Sequence, residues 1–185
     1  MEFIRTEFPG LTCIRPRVFH DSRGFFLESF RARLFAEQGL PEEFVQDNHA
    51  CSAQAGVVRG LHMQLPPAAQ GKLVWVTRGS VFDVALDLRT GSPTYGKAYT
   101  AVLSAANFLR LFIPRGFAHG YMTLEPHTEF QYKVDAYYAP QAEAGIRWDD
   151  PDLDIPWPDM EAVLSPKDAE LPRLCDFASP FVYVP

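Results

Sequence analysis

The chain is 185 residues long, 47% hydrophobic, 14% aromatic and 22% charged: enough apolar material for a substantial core, and more than a disordered chain carries. Its net charge of -6 excludes general attraction to nucleic acid or an acidic membrane surface, although a local basic pocket for a phosphate stays open. No run of about 18 apolar residues occurs, which excludes a spanning helix. The opening stretch Met1–Glu7 carries charges where a secretory signal needs an apolar core, so a cytoplasmic protein is expected. Cys13, Cys51 and Cys175 form an odd, scattered set, expected as buried free thiols and not as a disulfide frame.

Sixteen prolines and twelve glycines spread along the chain suit many short strands joined by tight turns. In chain order, Phe25–Phe30 alternates and predicts a strand, and Ala32–Gln38 predicts a short helix stopped by Gly39 and Pro41. Strands are predicted over Phe44–His49 and through Gly56–Gln64. Leu73–Thr77 and Ser80–Leu88 follow, with Arg78-Gly79 between them read as a hairpin turn. Leu109–Ile113 runs into a proline, and Thr128–Val134 alternates again. Beyond Pro151 the sequence is rich in proline and aspartate, and Ser165–Glu170 predicts a short helical piece. No repeat or linker divides residues 1–185, which read as a single all-β domain. The expected fold is a jelly-roll β-barrel with short helices, mainly at the C-terminus.

A period of two assigns side chains to faces. Lys72, Val74 and Val76 point one way and Leu73, Trp75 and Thr77 the other; Phe130, Tyr132 and Val134 share a face. Tyr132 is therefore expected to face inward. Arg59 and His62 lie an odd number of residues apart, so both can line one pocket only if Gly60 marks a bulge or bend.

Small barrels of the cupin kind bind a metal with two histidines and a carboxylate from one run and a histidine from a second. Here His62 and His119 occupy two of those places, but Gln64 replaces the second histidine and Lys72 the carboxylate. A protonated ammonium cannot ligate and repels a cation, so no metal is expected. A histidine base beside a fixed cation is instead equipped to remove a proton next to a carbonyl. A tyrosine on the opposite wall returning the proton to the other face would invert the carbon. His20, His49 and His127 lack such a setting and read as ordinary structural or surface residues. A metal-dependent cupin oxygenase or isomerase, and a binding module without catalysis, compete with this reading.

An ordered series of blocks then makes the reading specific. Phe19–Glu28, Phe44–Asn48, Arg59–His62, Gln70–Lys72, Ile113–Gly120, Tyr137–Pro140, Glu143–Trp148 and Ser165–Asp168 together resemble the dTDP-4-dehydrorhamnose 3,5-epimerase family, metal-free cupins acting on nucleotide-linked 4-keto-6-deoxy sugars. The resemblance runs nearly end to end. It implies His62 as proton acceptor with Asp168 as its carboxylate partner, Tyr132 as proton donor and Lys72 as stabiliser of the enolate oxygen. Arg23, Glu28, Gln46, Asn48, Arg59, His119, Tyr138, Glu143 and Lys167 match positions lining the nucleotide-sugar site. Arg23 and Arg59 suit the diphosphate, Tyr138 stacking on the thymine, and Phe26 and Tyr137 the walls. Met63 departs from the aromatic residue common in relatives and is expected to alter sugar packing. The resemblance further implies no cofactor, a dTDP-linked 4-keto-6-deoxy sugar as partner, and a homodimer in which Arg23 or Glu28 reaches the neighbouring site. Relatives that invert only C3 or only C5 share every residue named, so the motifs alone leave that choice open.

Overall fold

The computed structural model describes residues 1–185. In chain order its elements are β1 (Glu2–Arg5), β2 (Thr12–Arg15), β3 (Val18–Asp21), β4 (Gly24–Leu27), α1 (Ala32–Ala36), β5 (Gln46–Ser52), β6 (Val58–Gln64), β7 (Lys72–Arg78), β8 (Ser80–Asp87), β9 (Ala98–Ser104), β10 (Arg110–Ile113), β11 (Phe117–Thr123), β12 (Thr128–Val134), β13 (Glu143–Gly145) and α2 (Pro166–Ala169). A six-stranded sheet runs β1-β2-β10-β7-β12-β5, a five-stranded sheet runs β13-β6-β11-β8-β9, and β3 pairs with β4 alone. Pairing between these strands is antiparallel throughout. This is the double-sheet jelly roll that the alternating pattern predicts.

The two sheets face each other across a core of Val74, Val76, Leu111 and Phe130 on one side and Val81, Ala85, Leu103 and Tyr121 on the other. The alternate residues of the same strands turn outward. Leu73 joins Ile14, Phe35 and Phe112 beneath α1, so the period-two assignment on β7 holds. Val84 and Leu86 pack with Leu61, Met63 and Ala118 under Ile146 and Leu153 from the C-terminal segment. Strand β8 is apolar on both faces because both are covered. Phe35 is fully buried and anchors a helix of only five residues; burying such a side chain contributes roughly 1.5–3 kcal/mol.

Four local readings need correction. Arg78-Gly79 is not a hairpin turn: β7 pairs with β10 and β12, whereas β8 pairs with β9 and β11. Gly79, at φ +73°, carries the chain from one sheet to the other. The strand at Phe25 stops at Leu27 and belongs to a two-stranded hairpin. Cys51 and Cys175 are exposed and only Cys13 is buried, all three being free. Met63 is buried behind the sheet with Leu61, on the strand face opposite His62, and does not line the cavity that His62 enters.

Arg59 and His62 do reach one cavity, and a bulge explains how. His62 pairs with His119 and Arg59 with Tyr121, with the register shifting between them. Three steps along β6 thus span two along β11. Gly60, at φ +123°, sits in the bulge; a Cβ there would come within 2.5 Å of Gly120 Cα and 2.7 Å of His119 O. Only glycine permits that approach of two backbones.

Candidate active site

A cavity of about 290 Å³ opens between the sheets. The six-stranded sheet contributes Ala50, Lys72, Phe130 and Tyr132; the five-stranded sheet contributes Arg59, His62, His119 and Tyr121; and Ser165, Lys167 and Asp168 close it at α2. His62 and Tyr132 therefore project from opposite sheets into a common space. Lys72, at the first position of β7, faces the same space with its stem inside the fold.

His62 donates from Nε2 to Asp168 Oδ1, an arrangement that in the neutral imidazole leaves Nδ1 as the acceptor. Asp168 is held in turn by the helix start: Ser165 Oγ donates to Asp168 Oδ2 at 2.8 Å and accepts the Asp168 backbone N–H at 3.1 Å. The Ser-Pro-Lys-Asp sequence places an N-cap serine and a proline ahead of that turn, which is why it folds as a helical start. Burial pushes the Asp168 carboxyl up, but the hydrogen bond and charge of His62, the Ser165 hydroxyl and Lys167 outweigh it and hold it below its usual range.

Lys72 forms no ion pair, and its Nζ donates to His62 O at 3.2 Å. Burial pushes its pKa down to about 8, with Asp83 and Glu143 opposing. Tyr132 is half-buried, and burial raises its phenol above the ordinary value against the opposing charge of Arg59. The cavity thus holds an imidazole, a phenol and an ammonium within one partly desolvated space.

A string of polar contacts leads outward from the cavity. Lys167 Nζ pairs with Glu143 Oε2 at 2.6 Å, and Tyr138 donates its hydroxyl to the same oxygen at 2.8 Å. Burial raises the Glu143 carboxyl, but the hydrogen bonds from Lys167 and Tyr138 bring it below its usual range. The Tyr138 backbone N–H donates to Gln46 Oε1 at 3.0 Å, and Gln46 Nε2 donates to Asn48 Oδ1 at 2.9 Å. Gln64, where a metal-binding barrel would carry a histidine, is buried and saturated by backbone. It donates to Ala68 O and Tyr137 O and accepts from Ala139 N. Its work is to pin the loop that carries Tyr138. No three His, Cys, Asp or Glu side chains converge as a metal set.

Of the residues expected from the sequence, Arg59, His62, Lys72, His119, Tyr132, Lys167 and Asp168 line the cavity. Glu143, Tyr138, Gln46 and Asn48 follow along the polar string. Arg23 and Glu28 do not join them within this chain. Arg23 is 88% exposed and paired with Asp21, and Glu28 is paired with Arg31, both near the β3–β4 hairpin. Phe26 and Tyr137, each 70% exposed, also lie outside the cavity wall, and Tyr137 is not a core residue. Sequence reasoning missed Asp83, which is fully buried and accepts the His119 Nε2–H at 2.9 Å. The available signal was a carboxylate in the middle of the apolar run Val81–Leu86.

The sequence model described as dTDP-4-dehydrorhamnose 3,5-epimerase matches residues 5–176. The chain is 53% identical to the dTDP-4-dehydrorhamnose 3,5-epimerase of Sinorhizobium fredii, over 100% of this chain and 95% of the relative. It superposes on the Legionella pneumophila dTDP-6-deoxy-D-glucose-3,5-epimerase, solved in complex with dTDP-4-keto-L-rhamnose, with a TM-score of 0.94 at 44% identity, covering 99% of each chain. A Bacillus anthracis dTDP-4-dehydrorhamnose 3,5-epimerase, solved with TDP and PPi bound, gives a TM-score of 0.91 at 46% identity, covering 94% of this chain and 99% of that one. With a match of this extent in sequence and in fold, the chain belongs to the dTDP-4-dehydrorhamnose 3,5-epimerase family.

Proposed function

We propose that the chain, working as one domain over residues 1–185, converts dTDP-4-dehydro-6-deoxy-D-glucose into dTDP-4-dehydro-L-rhamnose by inverting C3 and then C5, or the reverse order. The C4 ketone acidifies the hydrogens on both neighbouring carbons. Nδ1 of His62 takes one of them, and the C–H electron pair moves into an enolate whose oxygen is met by the Lys72 ammonium. Tyr132 delivers a proton to the other face of the same carbon, leaving a phenolate that the solvent and the protonated His62 restore between rounds. Repetition at the second carbon completes the inversion. No hydride moves, so the chemistry requires no redox cofactor.

The observation that carries this reading is the projection of imidazole and phenol from opposite sheets into one cavity, with the ammonium of Lys72 lining it. Asp168 supports His62 as the base by fixing its tautomer and stabilising the imidazolium that forms. Arg59 and Lys167 supply positive charge for the diphosphate, and His119, Gln46, Asn48, Tyr138 and Glu143 complete the nucleotide-sugar binding set. Identification of the product from purified protein and dTDP-4-dehydro-6-deoxy-D-glucose, by ring-proton couplings in the NMR spectrum, tests the assignment. Inversion of both carbons is expected; inversion of one alone would reassign the enzyme as a mono-epimerase.

We also propose a homodimer in which Arg23 and Glu28 serve the neighbouring cavity. The support is physical: a two-stranded hairpin is marginal by itself, and this one displays Phe19, Phe25 and Phe26 at 49%, 60% and 70% exposure beside a guanidinium far more exposed than a binding residue should be. No helix is long and apolar enough to cross a membrane. The proposed nucleotide-sugar substrate supports action in the cytoplasm.

A further inference from the structure

Asp83 is the most completely buried charge beside the cavity, and none of the roles above uses it. It sits on the face of β8 that sends Val81 and Ala85 into the inter-sheet core. Its Oδ2 accepts the His119 Nε2–H at 2.9 Å, while its Oδ1 has no hydrogen-bond partner. A buried carboxylate with an idle oxygen is costly, and an apolar residue would pack there at no such cost. Lys72 presents the complementary problem: an enclosed ammonium without an ion pair, bonded only to a backbone oxygen.

The acids whose charge reaches Lys72 are Asp83 on β8 and Glu143 on β13. Glu143 is already engaged by Lys167 and Tyr138. Facing the same space with charged or titrating groups are Arg59 and His62 from β6, His119 and Tyr121 from β11, Tyr132 from β12, and Lys167 and Asp168 from α2. Asp83 is therefore the acid beside Lys72 that no lysine or arginine engages; its one partner is the His119 imidazole, whose burial lowers its pKa and favours the neutral ring.

We propose that Asp83 is a positioning residue for this reaction: it locks His119 in the Nε2–H tautomer, and it balances the Lys72 ammonium from outside bonding distance. The first effect leaves His119 Nδ1 as a hydrogen-bond acceptor for the sugar. The second keeps the ammonium charged while its N–H groups stay free for the enolate oxygen. A direct ion pair would occupy those donors, and an uncharged neighbour would let the buried amine give up its proton. The direction of the Lys72 shift, downward by burial and opposed by Asp83, agrees.

This inference rests on Lys72 acting as proposed, and the test separates the two. Asp83→Asn keeps the shape and removes the charge. The alkaline limb of kcat should then move to lower pH by about one unit, and Asp83→Glu should return it. A folded Asp83→Asn protein with its limb at the wild-type position overturns the charge role, even if kcat falls equally at every pH. Should that variant not fold, nitrogen-15 spectra of histidine-labelled wild-type protein decide the matter: His119 is expected as neutral Nε2–H imidazole, and an Nδ1–H tautomer overturns the proposal. Full activity in Lys72→Ala would refute the role given to Lys72, whereas the His119 tautomer stands or falls independently of it.

Discussion

Asp168 accepts a hydrogen bond from His62 across 106 residues of sequence, and the acceptor rides on a helical turn whose next residue back, Lys167, lines the same cavity. One turn thus carries both the hydrogen-bond partner of the proposed base and the cation proposed to meet the diphosphate. The first prediction follows from the base itself. His62→Ala should lower kcat by about 10²- to 10⁴-fold, the usual share of general base catalysis, with the melting temperature little changed. Steady-state kinetics beside a thermal melt reads both quantities.

Asp168→Asn keeps a hydrogen-bonding group but removes the charge that stabilises the imidazolium, and activity should fall roughly tenfold or more. The wild-type pH response has a defined sign. Asp168 is held below its ordinary carboxyl value, so its contribution to stability is present above that value and is lost as pH falls through the lower one. Urea unfolding of wild type and variant across the acid range should converge at the acid end.

Lys72 gives opposite signs for activity and stability. Its folded-state pKa is about 8 against an ordinary 10.5. Between those values the unfolded chain binds a proton that the folded one does not, so this group's contribution favours the folded state increasingly as pH rises. The same deprotonation would remove the cation proposed to hold the enolate. Activity should decline above about pH 8 while the fold remains intact, which circular dichroism on the assayed samples will establish.

Gly60→Ala tests the bulge. The new Cβ meets Gly120 Cα at 2.5 Å and the φ of +123° is one that side chains disfavour. Destabilisation of about 2 kcal/mol or more is expected, together with loss of activity, since Arg59 and His62 reach the cavity only through this distortion.

Much of this arrangement was legible in the sequence, and the rest failed for identifiable reasons. The inward faces of β7 and β12, carrying Lys72 and Tyr132, follow from alternation because each strand has one core-facing side. The odd spacing of Arg59 and His62 requires a bulge at Gly60 if both line one pocket, and the register shift meets that condition. The turn at Gly79 was misread because a tight turn looks the same whether the next strand pairs with the last or crosses to the facing sheet; only pairing elsewhere decides. Asp83 was passed over because β8 is apolar on both faces, and a single carboxylate there gives no periodic signal. The link from His62 to Asp168 came from family resemblance and from no local pattern, since nothing in strand periodicity reaches across 106 residues.

The hairpin that carries Arg23 offers a test of crossed dimers. Arg23→Ala and His62→Ala proteins, each weak alone, should on mixing and reassortment recover about one quarter of wild-type activity, because mixed symmetric dimers contain one intact site. Activity equal to the mean of the separate proteins would show that Arg23 serves no neighbouring site.

Tyr132→Phe should separate the two halves of inversion: exchange of substrate hydrogens with solvent continues while formation of inverted product falls by about a hundredfold. The most direct measurement is proton NMR of dTDP-4-dehydro-6-deoxy-D-glucose with wild-type protein in heavy water. Deuterium is expected at both C3 and C5 of the product, and none when His62→Ala replaces the wild type. Inverted product that retains its original hydrogens at those carbons would contradict the proposed mechanism.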